Sequence, residues 1–266
     1  MTTVEAQGDD RPPQRSGVSP PLFHAMTQDD ESLAQMVILL DEQDAMPSAR
    51  RLRDWALEKA DVQPGDQVVD LGSGTGTMSR QLARLVAPTN PAGEMGWVTG
   101  VEPNPRLRAV AESRAGASGV PNLSFVHGVA GALPFDDSSI DLVWCERVLQ
   151  HLADPQSAIN DIARVLRPGG WAVLLDSDYG TRFVSDLDSD LADAFSQASL
   201  GPIANPYAAR QIPAQLSRAG LTLEPDVGSS AFVFTSEACC VRRCTVRTLR
   251  TPSSPEGSLV MSLRLS

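Results

Sequence analysis

The residues best placed to do chemistry lie in one short stretch, Val69-Asp70-Leu71-Gly72-Ser73-Gly74-Thr75-Gly76. An apolar run ends at an acid, three glycines follow at alternate positions, and apolar residues at helical spacing (Met78, Leu82, Leu85, Val86) come directly after. Glycine permits the positive φ and close backbone approach that a tight strand-to-helix turn needs. The bare amides of such a turn, with the helix N-terminus behind them, then face a ligand. The spacing is G-x-G-x-G, whereas a dinucleotide site reads G-x-G-x-x-G. Asp70 is ill suited to a pyrophosphate and well suited to a ligand that carries a sulfonium and an ammonium group. A second carboxylate, Glu102, closes the next apolar run, Trp97 to Val101. At the tip of a second strand a carboxylate can accept two charge-assisted hydrogen bonds from a ribose diol.

These residues need a frame. Gln67 to Leu71, Trp97 to Val101, Leu123 to Val126, Ile140 to Trp144 and Trp171 to Leu175 read as buried strands. Between them run helical patterns, two of them opened by an N-cap followed by proline, Asn104-Pro105 and Asp154-Pro155. Alternating strands and helices predict a parallel sheet with helices on both faces. Ahead of it, residues 30–45 and a segment capped at Ser48 (Leu52, Trp55 and Ala56 on one face) predict two covering helices. After residue 180 a helix is expected from Leu187 to Ala198 and another ending near Gly220. Leu221 to Leu223, Phe232 to Phe234 and Ser258 to Leu265 are candidate strands. The division that follows is a disordered tail over 1–20, a helical cover over 21–60 and the main domain over 61–266.

The chain has 266 residues and a formal net charge of −11. Such a field repels phosphate backbones and anionic lipid surfaces, so a nucleic-acid partner is not expected. No apolar run approaches the roughly 20 residues of a membrane span. The first residues hold no apolar signal region, and the expected location is cytoplasmic. Of the four cysteines, Cys239, Cys240 and Cys244 crowd together and Cys145 stands apart. That spacing fits no zinc pattern, so no metal site is expected and the cysteines read as reduced thiols.

Four segments taken in order, VVDLGSGTG, VTGVEPNP, GVAGALPFDDSSIDLVWCERVLQHL and ARVLRPGGWAVLLD, resemble the class I S-adenosylmethionine-dependent methyltransferases. The nearer likeness is to the ubiquinone/menaquinone C-methyltransferase group of small-molecule enzymes, and it spans roughly Val68 to Leu175. The resemblance implies a Rossmann-like, mostly parallel sheet of seven strands with an antiparallel last strand. It implies S-adenosyl-L-methionine as cofactor and a small-molecule acceptor. Asp70, Gly72, Ser73, Gly74, Thr75 and Gly76 would line the methionine half. Glu102, with Pro103 beside it, would hold the ribose hydroxyls, Val129 and Ala130 would flank the adenine, and Glu146 would lie beneath the methionine. Family members usually carry Asp or Asn where this chain has Val129, and that side chain accepts a hydrogen bond from the adenine amino group. Its loss should weaken cofactor binding by about 0.5–1.5 kcal/mol.

Methyl transfer needs a positioned acceptor and, for a hydroxyl or acidic carbon, a base. His151 is the candidate base, with packing beside Asp154-Pro155 as its other reading. Asp178 and Tyr179 follow strand five and either face the acceptor or form a turn. His24 lies in the cover, and His127 should pack at the end of strand three. Arg51 and Arg53 either reach the cofactor carboxylate or form a solvated helix face. The place after strand four reads Trp144-Cys145-Glu146-Arg147, not the N/D-P-P-Y of nucleic-acid amino-methylating enzymes. The rival readings are a methyltransferase-like cyclase or isomerase that methylates nothing, a cofactor-binding module, and a nicotinamide dehydrogenase, which the glycine spacing disfavours.

Overall fold

The computed structural model describes residues 29–90, 92–184, 188–200, 203–234 and 261–265. The tail over 1–20, His24 and the Cys239–Cys244 cluster lie outside the described residues. Two helices come first, α1 (Asp30–Ala45) and α2 (Pro47–Ala60). The strands β1 (Gln67–Leu71), β2 (Trp97–Val101), β3 (Leu123–Val126), β4 (Ile140–Glu146) and β5 (Leu166–Leu175) then form one sheet in the order β3-β2-β1-β4-β5. All four of its pairings are parallel. Helices α3 (Thr77–Leu85), α4 (Pro105–Ser118) and α5 (Pro155–Val165) alternate with these strands.

Both sheet faces are covered, because successive side chains of a strand point to opposite sides. Val68, Leu142, Trp144 and Val173 pack against Leu52 and Ala56 of α2 and Leu82 of α3. Val69, Val143 and Cys145 face Ile159 and Ile162 of α5 and Ile212 of a later helix, α7 (Ala208–Arg218). The caps are local. Asn104 Oδ1 accepts the amides of Arg106 and Leu107, and Asp154 Oδ1 accepts that of Ser157.

Several expectations need correction. The parallel sheet has five strands, not seven with a reversed last member. β6 (Ser177–Val184), β7 (Ser230–Phe234) and β8 (Met261–Leu265) form a separate antiparallel sheet in the order β6-β8-β7. The chain leaves β5 at Asp176, whose Oδ1 accepts the amide of Ser177, and the strands that follow pair with one another rather than along β5. Leu221 to Leu223 is not a strand. Helix α2 begins at Pro47 with Met46 as its cap, so Ser48 lies inside the first turn. Helix α6 (Ser189–Leu200) starts slightly later than expected. No described helix is long and apolar enough to cross a membrane.

The two covering helices differ. Ala49, Leu52, Ala56 and Ala60 of α2 belong to the core. In α1 only Met36 is buried, and no α1 residue belongs to either core cluster.

Candidate functional site

The glycine turn folds back on the end of β2. The Gly72 and Ser73 amides donate to the Val101 carbonyl at 2.8 and 3.2 Å, and the Gly76 amide to Ser73 at 2.8 Å. Gly72, Gly74 and Gly76 all have positive φ. Space forbids a side chain at two of them. A Cβ on Gly72 would run into Val148, and one on Gly76 would lie 2.8 Å from the Phe125 ring. The turn ends as the cap of α3.

Glu102 ties this turn to β2. Its Oε2 accepts the Gly74 amide at 3.0 Å and its Oε1 the Asn104 amide at 2.9 Å. Burial pushes its pKa above the usual carboxylate value, although both backbone bonds act the other way. Each oxygen keeps a lone pair for a diol. Its amide donates to Val126, which joins the tips of β2 and β3. Val129 and Ala130 follow in a turn closed by the Ala132 amide on the Val129 carbonyl. The Val129 side chain is 47% exposed, and Pro103 beside Glu102 is exposed as well.

Asp70 is buried, and its Oδ2 accepts the Ser79 hydroxyl at 2.5 Å. Burial, with Glu146 adding to it, raises its pKa to about 7. Ser73 Oγ is buried with no hydrogen-bond partner. An orphaned hydroxyl inside the turn, next to a carboxylate with spare lone pairs, fits a polar ligand such as a nucleoside with an amino-acid tail.

Glu146, at the end of β4, sits in a charge network. Arg53 of α2 grips both its oxygens, at 2.7 and 2.9 Å, and reaches Asp44 of α1 at 2.5 Å. Arg147 reaches Asp44 at 2.9 Å and the Gln43 side chain, and lies 3.4 Å from Glu146. Trp144 Nε1 donates to Glu146 at 3.3 Å. Burial alone would lower the Arg53 pKa, but the two carboxylates more than reverse it. Burial would raise that of Asp44, and Arg53 and Arg147 outweigh it. Arg53 is therefore no solvated residue, at 6% exposure, whereas Arg51 beside it is exposed.

His151 closes a short 3-10 turn, Leu149–His151, after β4. Its Nε2 lies 2.9 Å from the Gln150 side-chain nitrogen. Burial and the nearby Arg147 lower its pKa to about 4, so the ring is neutral at pH 7. Asp176, 1% exposed at the end of β5, fixes this turn by accepting the Gln150 amide at 3.2 Å. Burial raises its pKa to about 7. Asp178 pairs with Arg210 at 2.7 Å, and the Tyr179 amide bonds to Pro206. His127 is exposed rather than packed.

Sequence reasoning brought the glycine turn and Glu102 together. It missed Asp44, Arg147 and Asp176. For Asp176 a signal existed, since an acid ends an apolar run there as Asp70 does in β1. For Asp44 and Arg147, which meet across more than a hundred residues, spacing held none.

Residues 69–174 match the family model described as a methyltransferase domain. A demethylmenaquinone methyltransferase of Shouchella clausii is 31% identical, over 53% of this chain and 59% of its own. A ubiquinone/menaquinone biosynthesis C-methyltransferase of Shewanella sediminis is 29% identical, over 65% of this chain and 62% of its own. Among solved structures the YcgJ protein of Bacillus subtilis superposes with a TM-score of 0.60 at 18% identity, over 81% of this chain and 97% of its own, which shows a shared fold. The chain spans about half the length of the curated relatives it matches. The resemblance to class I S-adenosylmethionine-dependent methyltransferases, read from four motifs, holds over the domain that carries them.

Proposed function

We propose that this chain, whose residues 69–174 form a methyltransferase domain, transfers a methyl group from S-adenosyl-L-methionine to O, N or C of a small-molecule acceptor. The observation that carries the reading is the joint between the glycine turn and Glu102, made by the Gly74 amide. In this reading Glu102 receives the ribose hydroxyls, and Gly72 to Gly76, with the Ser73 hydroxyl, receive the methionine half. Val129 and Ala130 flank the adenine, the latter through its backbone. Glu146 keeps its carboxylate on Arg53, so it serves the ligand through its backbone.

The bound cofactor would supply an activated methyl on a sulfonium. The chain's own contribution is position and the exclusion of water. The acceptor would lie across the β4 and β5 ends, near the Leu149–His151 turn that Asp176 holds. A neutral His151 ring is a weak base, so acceptors that need little deprotonation suit the site. The same weakness favours a second reading, a cyclase or isomerase that keeps the cofactor intact. The net charge of −11 speaks against nucleic-acid acceptors.

Incubation of the protein with S-adenosylmethionine and a panel of phenols, quinols and small amines, followed by mass spectrometry, separates these. A product heavier by one methylene, with S-adenosylhomocysteine in equal amount, supports methyl transfer. An acceptor isomerised at unchanged mass supports the second reading. Neither change across the panel contradicts both.

A further inference from the structure

Helix α1 roofs the glycine turn. A methyl built on Gly74 would lie 3.6 Å from Leu40 Cδ1. Yet α1 is poorly anchored by apolar contact, since it buries only Met36 and joins neither core cluster. Beneath it, between α1 and helices α2, α3 and α4, is a cavity of about 360 Å³ lined by Asp41, Asp44, Arg53, Thr77, Arg80 and Arg114 among others. The roof spans this polar hollow on ion pairs.

Those pairs are unequal. Asp30, which meets Arg106, is 99% exposed, and Asp41, which meets Arg114, is 42% exposed. The Asp30 pair, fully exposed on the acid's side, holds little, whereas Asp41 takes Arg114 through two bonds of 2.7 Å. The Asp44 side chain is 14% exposed and meets both Arg53 and Arg147. Arg53 holds Asp44 at 2.5 Å while it grips Glu146 through two bonds. Arg147 is the residue that reaches two α1 side chains, Gln43 and Asp44, from the end of β4. Its backbone has a φ of 58°, a conformation uncommon for a non-glycine residue. Its amide is fixed to the Leu175 carbonyl at 2.7 Å. The strand end thus aims this guanidinium at the roof.

We infer that Arg147 is a positioning residue that latches α1 over the glycine turn, so that the roof opens and closes for the ligand without disturbing the core. The choice of ligand rests on the cofactor reading above; the latch itself does not.

Hydrogen exchange on the full chain tests it. Asparagine tolerates positive φ, so Arg147→Asn removes the fork and keeps the backbone. Amides of residues 30–45 should exchange at least tenfold faster than in the parent, with β1 and β4 unchanged and Tm nearly so. Asp44→Asn should reproduce the effect, Arg147→Lys should restore part of it, and Asp30→Asn should leave exchange as it is. S-adenosylhomocysteine should leave Arg147→Asn at least tenfold faster than it leaves the parent. Unchanged protection of α1, or protection lost equally in the core strands, overturns the proposal. If the parent does not bind S-adenosylhomocysteine, the functional reading falls, and the exchange comparison alone decides for or against the latch.

Discussion

At the β1–β2 end of the sheet the site is made of main chain. Gly72, Gly74 and Gly76 turn with positive φ, amides bond to Val101, and Glu102 accepts two more amides. At the β4–β5 end it is made of side chains. Arg53, Asp44, Glu146 and Arg147 hold one another, and the Leu149–His151 turn hangs on the Asp176 carboxylate. A main-chain site is shaped by which residues are small, and it tolerates few of their replacements. A side-chain site is shaped by charges brought from distant segments, and it can be taken apart one charge at a time.

Gly72→Ala should have the largest effect. Both the positive φ and the Val148 side chain oppose it, and we expect a loss of about 3 kcal/mol in denaturant unfolding. Gly119→Ala is the matched control: φ is positive there too but nothing lies within 4 Å, so only the conformational cost of about 1 kcal/mol remains. Equal losses at the two positions would remove steric fit from the account.

The acids beneath the two ends should show in the pH dependence of stability. Burial lifts Asp70 and Asp176 to about 7, while the unfolded chain releases those protons near 4. Between these values the native state binds more protons, so each acid makes stability fall as pH rises from about 4 to 7, by at most about 1.4 kcal/mol per unit. His151, held near 4, acts oppositely, adding stability as pH rises from about 4 to 6.5. Asp70→Asn should therefore make the stability profile rise more, or fall less, between pH 4 and 7. An unchanged slope would mean that Asp70 is ionised in the folded protein.

Val129→Asp should have the smallest effect and the opposite sign. It returns an acceptor for the adenine amino group, worth about 0.5–1.5 kcal/mol of tighter cofactor binding by calorimetry. Weaker binding would place the adenine elsewhere.

The same contrast explains what was legible in the sequence. The β1 and β2 ends are local patterns, an apolar run, an acid and alternating glycines, and each forces its own geometry. Strands β1 to β4 and caps such as Asn104 were readable for that reason. Arg53 falls on the Ala49, Leu52, Ala56 and Ala60 stripe at helical spacing and Arg51 does not, but no local rule names Glu146, 93 positions away, as its partner. The pairing of β6, β7 and β8 was hidden for another reason. Alternation predicts a strand, but it does not say which distant strand becomes its partner.

The central claim is that the Gly74–Glu102 joint is a cofactor site. Calorimetric titration of the full chain with S-adenosylmethionine and S-adenosylhomocysteine, beside Glu102→Ala, addresses it directly. The account predicts micromolar binding by the parent and at least tenfold weaker binding by the variant, about 1.4 kcal/mol. Absence of binding by the parent, or equal affinity in the variant, would contradict it.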